Sequence, residues 1–305
     1  VVSRPVRVTT RLGIVASGRS EGNVVTQAYA LILTAMVCSA SALVGDDPIV
    51  LNASGVAAPA SASVGAPARL RRVAGRLVAE FVDGRSVDYD GLRDSEAFAE
   101  YLVLARSLNG IDLSALETQN ARLAFWINLY NALVLHSVLE SGVAETVRED
   151  EAFFSRYAYR VGGFTFTAND IEHGVLRGVS FADGDPRYQH AVPRLDPRLH
   201  FALNCASAGC PPIASYSAED VDAELDLATA SFVNSASEVD IDVATDTMHL
   251  SPIFDWYASD FGSSNAAIHR FVLAYLDPSD ERDHLAANVG SIRIEFNAYD
   301  WSLNR

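Results

Sequence analysis

Lysine is absent from the 305-residue chain, so its 23 basic side chains are all arginine, set against 39 acidic ones for a formal charge of −16. A surface of that sign repels phosphate backbones and anionic lipid, and the chain is therefore expected to bind no nucleic acid. Cysteine is nearly absent too, with three in all. Neither a Cys-x-x-Cys nor a His-x-x-x-His pair occurs, so no metal site is expected. There is no glycine-rich phosphate loop and no Gly-x-Ser-x-Gly elbow, and no cofactor is expected. Long hydrophobic runs are also scarce. Thr26 to Val44 is one, but it soon gives way to serine and alanine and falls short of the roughly 20 apolar residues a membrane span needs.

That run ends in Ala40-Ser41-Ala42, the small-residue pattern of a secretory signal, with the mature chain expected to begin at Leu43. The nearest upstream positive charge is Arg19, which puts the natural start near Val24 or Val25. Cys38 leaves with the signal, and Val37 is too bulky to precede a lipidated cysteine. The expected location is periplasmic or secreted, with no stable membrane span after the signal is removed. Cys205 and Cys210 then remain as an even pair in an oxidising compartment.

Residues 43–68 are rich in Ala, Ser, Gly and Pro without periodicity and read as a flexible linker. From Arg69 the pattern is that of a single globular domain running to Arg305. Helical spacing marks 70–81 and 95–108, and 118–140 is the longest helix, apolar almost all round and therefore buried. Residues 157–166 read as a hairpin turning at Gly162-Gly163. Thr167 with Asp170 forms a capping box for a helix to Leu176. Alternation over 198–204 reads as a strand, followed by a helix from Ser217 to about Asn234, a hairpin over 239–250, further helices near 253–257 and 266–276, and a last strand at 292–296. The class is α+β, a single helix-rich domain around a small, mainly antiparallel sheet.

Any thiol chemistry falls in Arg198-Leu-His-Phe-Ala-Leu-Asn-Cys-Ala-Ser-Ala-Gly-Cys-Pro-Pro212, where Pro211-Pro212 stiffens a tight loop after Cys205. His173 and Arg177 are four apart on one helix face, and the arginine disfavours a charged imidazole, leaving a neutral base. His200 is placed about 16 Å from Cys205 on the opposite face of the strand reading, which makes it a substrate contact and not the partner of the thiol. Asn128 and Asn131 on the apolar helix must be satisfied by loop backbone or line a wet pocket.

Taken together, Leu123-Ala-Phe-Trp-Ile-Asn-Leu-Tyr-Asn-Ala-Leu133, Asp170-Ile-Glu-His-Gly-Val-Leu-Arg177, the cysteine segment, Leu250-Ser-Pro-Ile-Phe-Asp-Trp-Tyr-Ala-Ser-Asp-Phe261 and Tyr299-Asp-Trp-Ser-Leu-Asn304 resemble the domain-of-unknown-function 547 family over about residues 90–304. The resemblance implies a bacterial exported protein, in a family that also occurs as a module in plant proteins, and supplies no settled activity. It does gather His173, Arg177, His200, Asn204 and Cys205 into one pocket.

Two functions follow. In the first, a thiol-dependent hydrolase or acyl-transfer enzyme, Cys205 attacks a carbonyl, His173 lies within about 4 Å of it as base, and Asn204 stabilises the oxyanion. Arg177, His200 and Asn131 contact the substrate, a small molecule or peptide. In the second, a ligand- or partner-binding module, Cys205 and Cys210 form a structural disulfide. A dithiol oxidoreductase is a third possibility, weakened by the Cys-x4-Cys spacing.

Overall fold

A computed structural model describes residues 47–53 and 65–305. The expected secretory signal, its expected cleavage site after Ala42 and most of the expected linker lie outside these residues. Strand β1 (Ile49–Val50) is followed by α1 (Ala66–Phe81), the short pair β2 (Val82–Asp83) and β3 (Ser86–Val87), α2 (Tyr89–Arg93) and α3 (Glu96–Ser107). Next come α4 (Gln119–Ser141), α5 (Phe153–Arg156), β4 (Tyr157–Val161), β5 (Phe164–Thr167) and a π-helix over Asp170–Leu176. The remainder is α6 (Val221–Val233), β6 (Val239–Asp242), β7 (Thr247–Leu250), α7 (Ile253–Trp256), α8 (Asn265–Tyr275), α9 (Asp280–Ala287) and β8 (Arg293–Phe296). The class is α+β, as its sequence suggests, with three small sheets ordered β1-β4-β5, β2-β3 and β6-β7-β8.

Helix α4 organises this body because its sequence leaves it nowhere else to go. Every residue from Leu123 to Leu139 is buried, since a helix apolar on all faces must be surrounded. Thr118 caps its start by accepting the Ala121 N–H at 3.1 Å, and Gly142 at φ 72° ends it in the left-handed region that glycine adopts at little cost. It is long and apolar enough to cross a membrane, yet it is the core helix of the body. The large core packs on it from α1, α3 and the β4–β5 hairpin, and a second cluster centred on Phe201, Phe232, Phe254 and Phe261 fills the space among α6, α7, α8 and the β6-β7-β8 sheet.

Local signals explain most of the elements. Gly162 and Gly163, at φ 57° and 85°, supply the two positive dihedrals a two-residue hairpin turn requires. Thr167 and Asp170 cap reciprocally, with the Thr167 N–H donating to Asp170 at 2.9 Å and the Asp170 N–H to Thr167 at 3.1 Å. Two expectations are corrected. Residues 198–204 form no strand; Pro197–Phe201 is a 3-10 helix, because Asp196 accepts the Arg198 N–H and Pro197 occupies the first helical position. The segment read as flexible linker contributes β1, which pairs in parallel with β4 while Asn52 bonds to Ala105 and Arg160.

A buried polar chain crosses the core beside α4. Tyr101 donates to the Tyr159 hydroxyl at 2.8 Å, and Tyr159 donates to His136 Nδ1 at 2.7 Å. Burial pushes the His136 pKa down to about 4. The unfolded chain takes up that proton near 6.5, so this contribution to stability is complete above about 6.5 and is lost as pH falls from there towards 4. His190, His200 and His269 are shifted down by burial as well and act in the same direction. Urea unfolding should therefore give a lower stability at pH 5 than at pH 7.5, with a shallower loss in His136→Gln.

Candidate functional site

Two asparagines on α4 fix the loop that carries the cysteines. Asn128 donates to Tyr216 O at 2.7 Å and accepts the Tyr216 N–H at 2.9 Å. Asn131 donates to Ala202 O and accepts the Asn204 N–H, both at 2.9 Å. Each carboxamide imitates a peptide unit and satisfies backbone that would otherwise be orphaned in the core. Asn131 is thus committed to the chain itself, and the substrate contact expected of it is not what its amide makes here. Asn204 is similarly committed: it donates to Pro211 O at 2.7 Å and accepts the Ala206 N–H at 2.8 Å and Asn304 Nδ2 at 3.3 Å. Its amide braces the loop, and the oxyanion contact expected of it is not what the amide makes here.

The loop ends in a disulfide between Cys205 and Cys210. Cys205 is partly exposed and Cys210 is buried. Tyr299 brings its phenol to 3.3 Å from the Cys205 sulfur and 3.1 Å from that of Cys210, and the Cys205 N–H donates to Cys210 Sγ at 2.9 Å. Burial keeps the Tyr299 phenol protonated well above the ordinary tyrosine range, so it remains a donor.

The π-helix delivers the charged partners. Its i→i+5 bonding, closed by the Arg177 N–H donating to Glu172 O at 2.9 Å, is a geometry that recurs at functional positions. Arg177 grips Asp260 through Nε at 2.7 Å and Nη2 at 3.1 Å, and its Nη1 donates to His173 Nδ1 at 3.0 Å. His200 meets the same carboxylate, Nε2 to Asp260 Oδ2, at 2.8 Å, and its ring stacks on Tyr257 at 3.8 Å. Glu172 accepts Tyr130 at 3.0 Å and Tyr257 at 2.5 Å. Burial alone would raise the Asp260 pKa; the bonds from His200 and Arg177 outweigh it and hold the carboxyl well below the usual range. Burial lowers His200 more than Asp260 raises it, so the ring is neutral, with its proton on Nε2 and a lone pair on Nδ1.

The disulfide and this network are linked through aromatic rings: Tyr299, whose hydroxyl touches both sulfurs, lies 4.8 Å from Trp256, the residue before the Tyr257 that stacks on His200. Arg177 meets His173, its neighbour on the same helix face, and shares the Asp260 carboxylate with His200. No hydrogen bond joins His173 to Cys205 among the described residues: the polar neighbours of His173 are Arg177 and Glu172, and those of the Cys205 sulfur are Ser207 and Tyr299. The separation assigned to His200 and Cys205 from strand geometry lapses with the strand. Sequence reasoning missed Asp260, Tyr257 and Tyr299 as site residues, although all three sit inside motifs that carried the family resemblance.

Residues 113–233 match the model of the DUF547 family, described as a protein of unknown function. No curated protein and no solved structure matches the chain. The DUF547 stretch contains α4, the π-helix and the cysteine loop, whereas Tyr257, Asp260 and Tyr299 come from beyond it.

The Arg177–Asp260 pair is 12% and 4% exposed at its side chains, against 36% and 42% for the surface pair Arg76–Glu80. Removing one partner of a buried pair strands the other, at a cost of about 3–5 kcal/mol, while an exposed pair contributes at most about 1 kcal/mol. Asp260→Ala should accordingly lower the unfolding free energy several-fold more than Glu80→Ala in matched urea titrations at pH 7.

Proposed function

We propose that this DUF547 site is a thiol active site for hydrolysis or acyl transfer, with Cys205 as the nucleophile and the disulfide to Cys210 as its oxidised, resting form. The carrying observation is the Asp260–His200 pair: an ionised, Arg177-clamped carboxylate fixes a neutral imidazole in the tautomer a general base needs. His173 is not assigned as the base, because its Nδ1 lone pair already receives the Arg177 N–H. Reduction of the disulfide by a dithiol delivers two electrons and two protons, freeing Cys205 to rotate about χ1. The thiol proton passes to His200 Nδ1 as sulfur attacks an acyl carbonyl. The bond to the leaving group breaks, the leaving group takes the proton back, and water or another acceptor releases the thioester. Tyr299, already beside the sulfur, is the candidate donor to the oxyanion in place of Asn204.

The substrate is a small molecule or peptide bearing an acyl group, and the strongly negative chain disfavours nucleic acid. The disulfide supports a periplasmic or secreted setting.

A second reading, a ligand-binding module with a structural disulfide, draws support from an open cavity of about 590 Å³ lined by Val179, Phe181, Asp183, Tyr188 and Gln189, in the loop just after the π-helix. Mass spectrometry separates the two. In Cys210→Ser, incubation with an activated acyl ester should leave one acyl group on Cys205, formed at least tenfold more slowly in His200→Asn and absent in Cys205→Ser. A Cys205 that acylates no faster than free cysteine, unaffected by His200→Asn, would leave the binding reading.

A further inference from the structure

Trp256, the last residue of α7, is 44% exposed. It is not an isolated surface ring. Its centroid lies 4.8 Å from Tyr299 and 5.4 Å from Trp301, and Tyr299 and Trp301 are 4.6 Å apart. Tyr299 is the residue whose hydroxyl touches both sulfurs. An aromatic platform therefore begins at the disulfide and ends at the solvent face of Trp256.

The other rings of this region show what their faces accept. Arg148 holds its guanidinium 5.2 Å from the Trp301 ring centroid, and Arg177 lies 4.9 Å from that of Tyr257. Among the described residues Trp256 has no such cation. Two exposed carboxylates flank the platform in sequence, Asp255 before Trp256 and Asp300 between Tyr299 and Trp301. Asp255 makes no side-chain hydrogen bond among the described residues, and Asp300 uses only Oδ1, towards Ser302. The chain as a whole carries −16, a sign that favours cationic over anionic ligands.

The ring spacing selects among cations. Centroids within 5.4 Å of one another mean that the three rings touch, so they leave no cage around a compact quaternary ammonium. What remains is one flat face, with exposed carboxylates next to its rings in sequence. A planar guanidinium stacks on such a face while its edge N–H groups reach carboxylate oxygens.

We propose that the outer face of Trp256, backed by Tyr299 and Trp301 and flanked by Asp255 and Asp300, is a subsite for the guanidinium of an arginine-bearing peptide presented to Cys205. This rests on the thiol-enzyme reading for its role, but binding can be measured without any thiol chemistry.

The test uses the full chain in its disulfide form and calorimetric titration with acetyl-Ala-Ala-Arg-Ala-Ala-amide, its isosteric citrulline analogue, the lysine analogue and chitohexaose. The arginine peptide should bind at least tenfold more tightly than the citrulline analogue and more tightly than the lysine analogue, and should weaken as salt rises from 0.05 to 0.5 M. Trp256→Ala should lose at least tenfold, Trp256→Phe should recover part of that loss, and Asp255→Asn with Asp300→Asn should lose severalfold with thermal unfolding unchanged. No binding of the arginine peptide, equal binding of citrulline, binding unaltered in Trp256→Ala, or binding of chitohexaose alone would each overturn the subsite. If the arginine peptide binds as expected while Cys210→Ser forms no acyl-enzyme, the subsite stands and the enzyme reading falls.

Discussion

The Asp260 carboxylate is the interaction on which the site depends. It sits between two cation-capable groups delivered by different parts of the chain, Arg177 at the end of the π-helix and His200 in the 3-10 helix before the cysteines. A charge taken this far from water is tolerated only when its lone pairs are filled, and here both oxygens are. The consequence runs outward: an ionised Asp260 fixes the His200 tautomer, orients Arg177, and through Arg177 sets the hydrogen bonding of His173.

The scaffold makes that placement possible by burying amides on α4. Asn128 and Asn131 hold two separate stretches of the cysteine loop to one helix, so the loop has backbone partners without belonging to a sheet. The same economy appears at Glu172, whose carboxylate accepts Tyr130 from α4 and Tyr257 from the segment after α7, joining the two cores at the site. Segments distant in sequence are thereby tied together by side chains more than by strand pairing.

What the sequence made legible follows from how local each signal is. Helix α4 could be read because its apolar run is long, and the β4–β5 hairpin because two glycines at the turn admit one geometry. The Thr167–Asp170 box marked a helix start correctly, while its π character depends on packing and leaves no periodic trace. The segment 198–204 failed for an identifiable reason: alternating apolar residues suggested a strand, but Asp196-Pro197 is itself a helix-start signal and competed with that alternation. The site was half legible. His173, Arg177, His200 and the cysteines stand out as residue types with chemistry, whereas Asp260 is one of 39 acidic residues and becomes distinctive only when folding brings it to Arg177 and His200. Tyr299 likewise shows its importance only through its contact with sulfur.

The protonation state of the His200 ring decides what this site can do, and nitrogen-15 NMR of histidine-labelled protein reads it directly. At pH 7 His200 should be neutral with Nε2 protonated and Nδ1 bare, titrating only below the ordinary histidine range, and its tautomer balance should change in Asp260→Asn. A His200 that titrates near 6.5, carries its proton on Nδ1, or ignores Asp260→Asn would contradict this assignment.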